Sequence, residues 1–391
     1  MFSLCGRPDG QILFMSSTFF AAGPLMLTKK LGGVERSLRE LTFQENDRVP
    51  IGGGFICKAS FLEKLAGMGP FWSNPRGIAI EAYRRLGTDL IIQFVMPKRP
   101  EDSTESETAT NFSRRKDPRP SYTAETVVEY VSALPSVAEI RREFDSEAIY
   151  RDFIRVISDG QREMGDMLWI PFYAHACSFM WYSQFGFWPY LLALARYPDE
   201  MERLFRNSGE QARLRNRAVA RAIRDRNIPP FLYFGEDICY NRGPMVPIKL
   251  LREVYFPHLR RAVQPLKEVG ARIIWHSDGN ILPILPDLLD CGIDGFQGFQ
   301  AETDQRLEEL AAMESRSGRK LILWGSISVS STLPFGSTRD VRREVERCID
   351  AAAEGGGFFL TPSSSVGPEV PDENLLTMYR HAIEYGTKVR S

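Results

Sequence analysis

Eight short apolar runs constrain the fold more than any other feature of this sequence. They are VPIGGGF (49–55), DLIIQFVM (89–96), MLWIPFYA (167–174), FLYFGED (231–237), RIIWH (272–276), IDGFQGF (293–299), LILWG (321–325) and GFFLTP (357–362). Each run gives way to small or polar residues, and helical stretches lie between them. Unbroken apolar runs of this length fit strands buried on both faces, as in parallel sheets. Eight such strands alternating with helices predict an α/β fold, a (β/α)8 TIM barrel. A doubly wound open sheet is the alternative. It would place a glycine-rich phosphate loop after an early strand, and neither G-x-G-x-x-G nor a Walker pattern occurs; the GGG at 52–54 has the wrong spacing.

The intervening segments carry helix signals. Residues 146–164 and 247–270 place apolar residues at helical spacing, with Gly270 a C-cap candidate, and 337–357 opens on a capping residue and closes on glycines. One polar, proline-containing insertion, 97–145, follows strand two. On a barrel it emerges at the catalytic face, either as a lid or as a solvated excursion. The expected organisation is an N-terminal extension over 1–25 and one barrel domain over 26–391. The apolar stretch ILFMSSTFFAAGPLML (12–27) is too short and interrupted to span a membrane. Its alternative role is the apolar part of a secretion signal, but Lys and Arg are sparse before it. The six cysteines are scattered without a C-x-x-C pair, which fits reduced, mostly buried thiols and a cytoplasmic location. A formal net charge of −1 argues against a nucleic-acid partner, and no membrane partner is expected.

Barrel active sites gather at the C-terminal ends of the strands. Those ends carry His175 and Cys177 (strand three), Glu236 and Asp237 (four), His276 and Asp278 (five), Gln297 and Gln300 (six), Ser326 (seven), and Thr361 with Ser363, Ser364 and Ser365 (eight). Two carboxylates and a histidine on neighbouring strands suit a divalent metal, with Glu236, His276 and Asp278 as the candidate ligands. They equally suit an acid/base set of His276, Asp278, Glu236 and Asp237. The structural alternatives are that His276 caps its strand and that Glu236 braces a helix N-terminus. Residues 169–190 are dense in aromatics and form either core or an aromatic wall for a flat ligand. The substrate-binding candidates are Tyr173, His175, Trp181, Tyr182, Gln297, Gln300, Ser326 and Ser364. His258 and His381 fall within helices, Glu302 and Asp304 read as first-turn helix charges, and Cys291 and Cys348 read as core.

Four stretches, GEDICYNRGPMVPIKLLREVYFPHLRRAV, WHSDGNILPILPDLLDCGIDGFQGFQ, LILWGSISVSSTLPFGSTRDVRREVERCI and GGGFFLTPSSSVGPEVPDENLLTM, resemble the uroporphyrinogen decarboxylase superfamily. The resemblance runs in order over about residues 26–391 and is most specific from about 230 to 376. It implies a (β/α)8 barrel and two chemistries: the decarboxylase itself, and a branch of zinc-dependent methyltransferases that work with corrinoid proteins. The decarboxylase grips its acidic substrate with an N-terminal arginine-rich motif. The corresponding stretch here, VPIGGGFICKASF, contains only Lys58 as a nearby cation, too few fixed cations for a polycarboxylate. The thiol-directed methyltransferases hold zinc with His-x-Cys at strand five and a cysteine at strand eight. This chain keeps His276 but has Asp278 and about Ser364 at those two cysteine positions. The resemblance therefore implies an enzyme that removes a methyl group from a small substrate, such as a methoxylated aromatic, and passes it to a corrinoid protein acting in trans, with zinc assistance. A lyase or decarboxylase of a small substrate, and a non-catalytic binding barrel, are the alternatives.

Overall fold

The computed structural model describes residues 30–99, 122–173 and 176–391. All eight apolar runs contain a strand: β1 (Gly52–Gly53), β2 (Leu90–Ile91), β3 (Leu168–Trp169), β4 (Phe231–Gly235), β5 (Arg272–His276), β6 (Gly295–Gln297), β7 (Ile322–Ile327) and β8 (Phe358–Pro362). The strands β1-β2-β3 pair in parallel, and so do β8-β7-β6-β5-β4. Single parallel bridges close the ring, Phe172 with Tyr233 at one seam, and Ile51 with Leu360 and Ile56 with Val366 at the other. The result is the expected TIM barrel.

The alternation of side chains explains why the strands read as continuous apolar runs. Phe231, Tyr233, Ile274, Ile322, Trp324 and Phe359 fill the barrel interior with Leu90, Leu168 and Ile170. Leu232, Phe234, Ile273, Trp275, Leu323 and Leu360 belong to the larger core that packs the barrel against its helices. Successive residues point to opposite faces of a strand, and here both faces are dry. The helix Gly33–Leu41 packs across the N-terminal end, contributing Leu41 to the interior cluster. Beside it Asp89 accepts hydrogen bonds from Arg36 and Arg48 at 2.6 and 2.8 Å, a buried ion network beneath β2.

The outer helices follow their sequence signals with one difference. Asp145 caps Ser146–Met164, and Ser337 and Asp340 form a reciprocal capping box on Thr338–Ala352. The stretch 247–270 divides into Ile248–Val254 and Phe256–Lys267, because Pro257 lacks the amide hydrogen that would continue the first helix. Gly270 follows at φ +73°. The described part of the 97–145 insertion forms two capped helices, Ala124–Ser132 and Val137–Glu143, packed on the long helix Pro198–Arg226. The 1–25 extension lies outside the described residues. Among the described residues, no helix is long and apolar enough to cross a membrane.

Candidate metal centre

Strand parity decides which side chains reach the barrel mouth. In β4 the odd residues Phe231 and Tyr233 face inward, so Asp237 continues toward the mouth while Glu236 turns to the helices. In β5 the inward residue is Ile274, so His276 and Asp278 both continue inward. The parallel register aligns Gly235 with His276, which sets the two strand ends level. Gly235 allows this approach, since a Cβ there would lie 1.9 Å from the carbonyl oxygen of His276.

Asp237, His276 and Asp278 thus converge, each offering one ligand atom, with all three atoms within 4.8 Å of one another. The carboxylate Oδ1 of Asp237 accepts from the Asp278 amide at 3.0 Å and lies 3.6 Å from His276 Nε2. Two atoms have no partner although they are buried: Nδ1 of His276 and Oδ1 of Asp278. Unpaired buried polar atoms are costly, and a cation bound through the Asp278 oxygen would satisfy that one. Burial pushes the Asp278 carboxyl above the ordinary carboxylate range; His276 opposes the shift and Asp237 adds to it. One imidazole and two carboxylates form a donor set suited to Zn2+, Fe2+ or Mn2+. The residues present therefore fit a divalent metal.

Glu236, expected as a ligand, does not reach the cluster. Its Oε2 accepts from the amides of Phe179 (2.8 Å) and Met180 (3.1 Å) and from the Ser178 hydroxyl (3.2 Å). It braces the backbone just before the short helix Tyr182–Phe185, the structural role open to it in the sequence. Burial pushes its carboxyl up to about 7 against the pull of those donors.

The other predicted contacts divide similarly. Tyr182 donates its hydroxyl to the Asp237 carbonyl at 3.0 Å and stacks on Phe187, so it fixes the ligand strand from behind. Trp181 donates to the Ser178 carbonyl. Tyr173 falls on the helix side and donates to Asp152 at 2.7 Å. Gln297 lies inside the barrel, accepting from Tyr233 at 2.9 Å and donating to the Ser363 carbonyl at 3.2 Å. Gln300 accepts from the Gly279 amide at 3.1 Å, shaping the turn that carries Asp278. Ser326 is buried and Ser364 half-buried, and His175 lies outside the described residues.

Sequence reasoning passed over Phe172. It shares inward parity with Leu168 and Ile170, is 48% exposed, and meets the edge of Tyr233, whose ring centre is 6.5 Å from that of His276. The aromatic face presented to the mouth thus comes from Phe172 where Tyr173 was expected. Period-two counting along MLWIPFYA is the signal that finds it.

The model of the uroporphyrinogen decarboxylase (URO-D) family matches residues 241–385, which include His276 and Asp278. Over those residues the chain is similar to that family. The curated proteins to which it is similar are methyltransferases. Two methylcobamide:CoM methyltransferases (MtaA) of Methanosarcina barkeri are 27% identical over 117 residues and 26% identical over 153 residues, the second from strain Fusaro. These matches span 30% and 39% of this chain but only 32% and 42% of the relatives. A solved methyltransferase from Methanosarcina mazei superposes with a TM-score of 0.56 at 16% identity, covering 91% of this chain and 99% of that one. That likeness establishes the shared fold.

Proposed function

We propose that this protein is a metal-assisted methyltransferase of the uroporphyrinogen decarboxylase superfamily that takes a methyl group from a small donor and passes it to a cobamide held by a separate corrinoid protein. The observation that carries the reading is the meeting of Asp237, His276 and Asp278 at the barrel mouth, with a buried Asp278 carboxylate oxygen unpartnered. The named activity of the curated relatives, methyl transfer involving a cobamide, supports it.

Asp237, His276 and Asp278 would hold the metal. When bound, a divalent cation supplies Lewis-acid polarisation of a donor oxygen or nitrogen. The rest of the work belongs to the chain. The Asp278 amide orients Asp237 through its 3.0 Å hydrogen bond, and Tyr182 holds the same residue through its carbonyl. Phe172 offers an exposed ring at the mouth, on which an aromatic donor can pack edge to face. Two carboxylates with one imidazole make a harder site than one built from thiolates. This favours zinc or another divalent metal acting on an ether or amine donor over activation of a thiol.

The test combines metal analysis of the purified protein with methyl transfer to cob(I)alamin from methoxylated aromatic and methylamine donors. The expected result is about one divalent metal per chain and donor-dependent methylcobalamin formation that Asp237→Ala and His276→Ala abolish. Metal-free protein that transfers no methyl group from any such donor would refute the proposal. Carbon dioxide release without cobalamin would instead identify a decarboxylase.

A further inference from the structure

The insertion after strand two builds something separate from the barrel mouth. A cavity of about 510 Å3 lies between the inserted helix Val137–Glu143, the long helix Pro198–Arg226 and the helix Phe256–Lys267. Arg141, Arg203, Arg206 and Arg261 line it with His258, against a single lining carboxylate, Glu210. The walls are fixed by backbone-directed bonds. Asn207 donates to the Pro135 carbonyl at 2.7 Å, and a guanidinium nitrogen of Arg203 donates to that of Leu134. Gly209 lets the two long helices close, since a Cβ there would meet the Cβ of His258 at 2.8 Å.

The local acids do not neutralise this wall. Glu210 is shared by Arg141 (2.7 Å) and by Arg213, which grips it through two nitrogens, and these partners hold its carboxyl down at about 2. Glu202 is shared by His258 (2.7 Å) and Arg206 (3.4 Å). Arg203 and Arg261 form no ion pair among the described residues, and the buried Nε of Arg203 has no hydrogen-bond partner. Unmatched guanidinium groups in a concave site of this size suit a multiply charged oxyanion, because the planar fork binds phosphate or carboxylate oxygens in pairs. The volume falls in the range of small-molecule sites, roughly 300–1,000 Å3.

We propose that this arginine-lined cavity is a second binding site, taking a small polyanion of diphosphate or polycarboxylate type at a place independent of the metal centre. The inserted segment is then a wall of a ligand site on the outer helical layer.

Isothermal titration calorimetry with pyrophosphate, ADP and citrate, in EDTA-treated protein at low salt, tests this. At least one probe should bind one-to-one, and raised ionic strength should weaken the binding through screening. The double variant Arg206→Ala/Arg261→Ala removes exposed side chains, so it leaves the fold intact; it should weaken binding at least tenfold. The His276→Ala variant should bind as the wild type does, which separates this cavity from the barrel mouth. Preference for pyrophosphate and ADP over citrate assigns a phosphoryl ligand, and the reverse assigns a carboxylate. No saturable binding of any probe, or binding that the arginine pair does not affect, would overturn the proposal.

Discussion

Replacing Asp278 with asparagine separates metal binding from stability in opposite directions. In metal-free protein, Asp237 and Asp278 hold two carboxylates within 4.8 Å of each other, and one Asp278 oxygen is buried without a partner. Two unit charges 4.8 Å apart repel by about 3.5 kcal/mol at an effective dielectric constant of about 20, before solvent at the mouth screens them. The upward shift of the Asp278 carboxyl shows that the site resists the charged form. Asparagine keeps the shape and the amide that donates to Asp237, but removes the charge. The metal-free variant should therefore be more stable than the wild type, by about 1–3 kcal/mol. With metal the order reverses. A ligand present at about 100 times its Kd stabilises the wild type by about 2.7 kcal/mol, and the variant should lose most of that gain. The assay is thermal unfolding of both proteins in EDTA and in a zinc, iron(II) or manganese(II) series. A variant less stable than wild type in EDTA, or stabilised by metal to the same extent, would refute the reasoning.

Three further outcomes are expected. Glu236 has a folded-state value of about 7, above that of the unfolded chain, so in metal-free protein its contribution is fully present below about pH 4.5 and is lost as pH rises toward 7. The difference amounts to about 3 kcal/mol, and Glu236→Gln should flatten that slope in urea unfolding measured across the interval. Gly279 sits at φ +82°, with the backbone of Cys239 and Tyr240 placed 2.8 Å from where a Cβ would stand. Gly279→Ala should cost more than about 1 kcal/mol and weaken metal binding by displacing the adjacent Asp278, as read by unfolding and metal titration. Asp89→Asn would strand the buried Arg48 without its carboxylate, while Arg36 keeps Asp47; calorimetry should show a loss of about 3–5 kcal/mol.

The barrel was legible in the sequence because its strands are buried on both faces, and a run such as RIIWH or FLYFGED has few other uses. The turn after β5 was legible for a related reason: a histidine and an aspartate two residues apart leave a strand on the same face. The partner on β4 was not. Glu236 and Asp237 are adjacent and chemically alike, and only the inward parity of Phe231 and Tyr233 selects Asp237. Aromatic character made Tyr173, and position at a strand end made Gln297 and Gln300, look like substrate contacts. Their bonds to Asp152, Tyr233 and Gly279 show that polar groups near a site often satisfy the frame first.

The sequence by itself determined the number and kind of elements, since periodicity, caps and apolar runs act over a few residues. It also placed His276 and Asp278 at the end of a barrel strand. The tertiary structure alone decided which β4 carboxylate meets them, because that depends on the register between two strands 41 residues apart in Gly235 and His276. It alone decided that the insertion after strand two packs on the outer helices and lines an arginine-walled cavity. Charge and volume at such a place are sums over segments distant in the chain, and no local pattern encodes them.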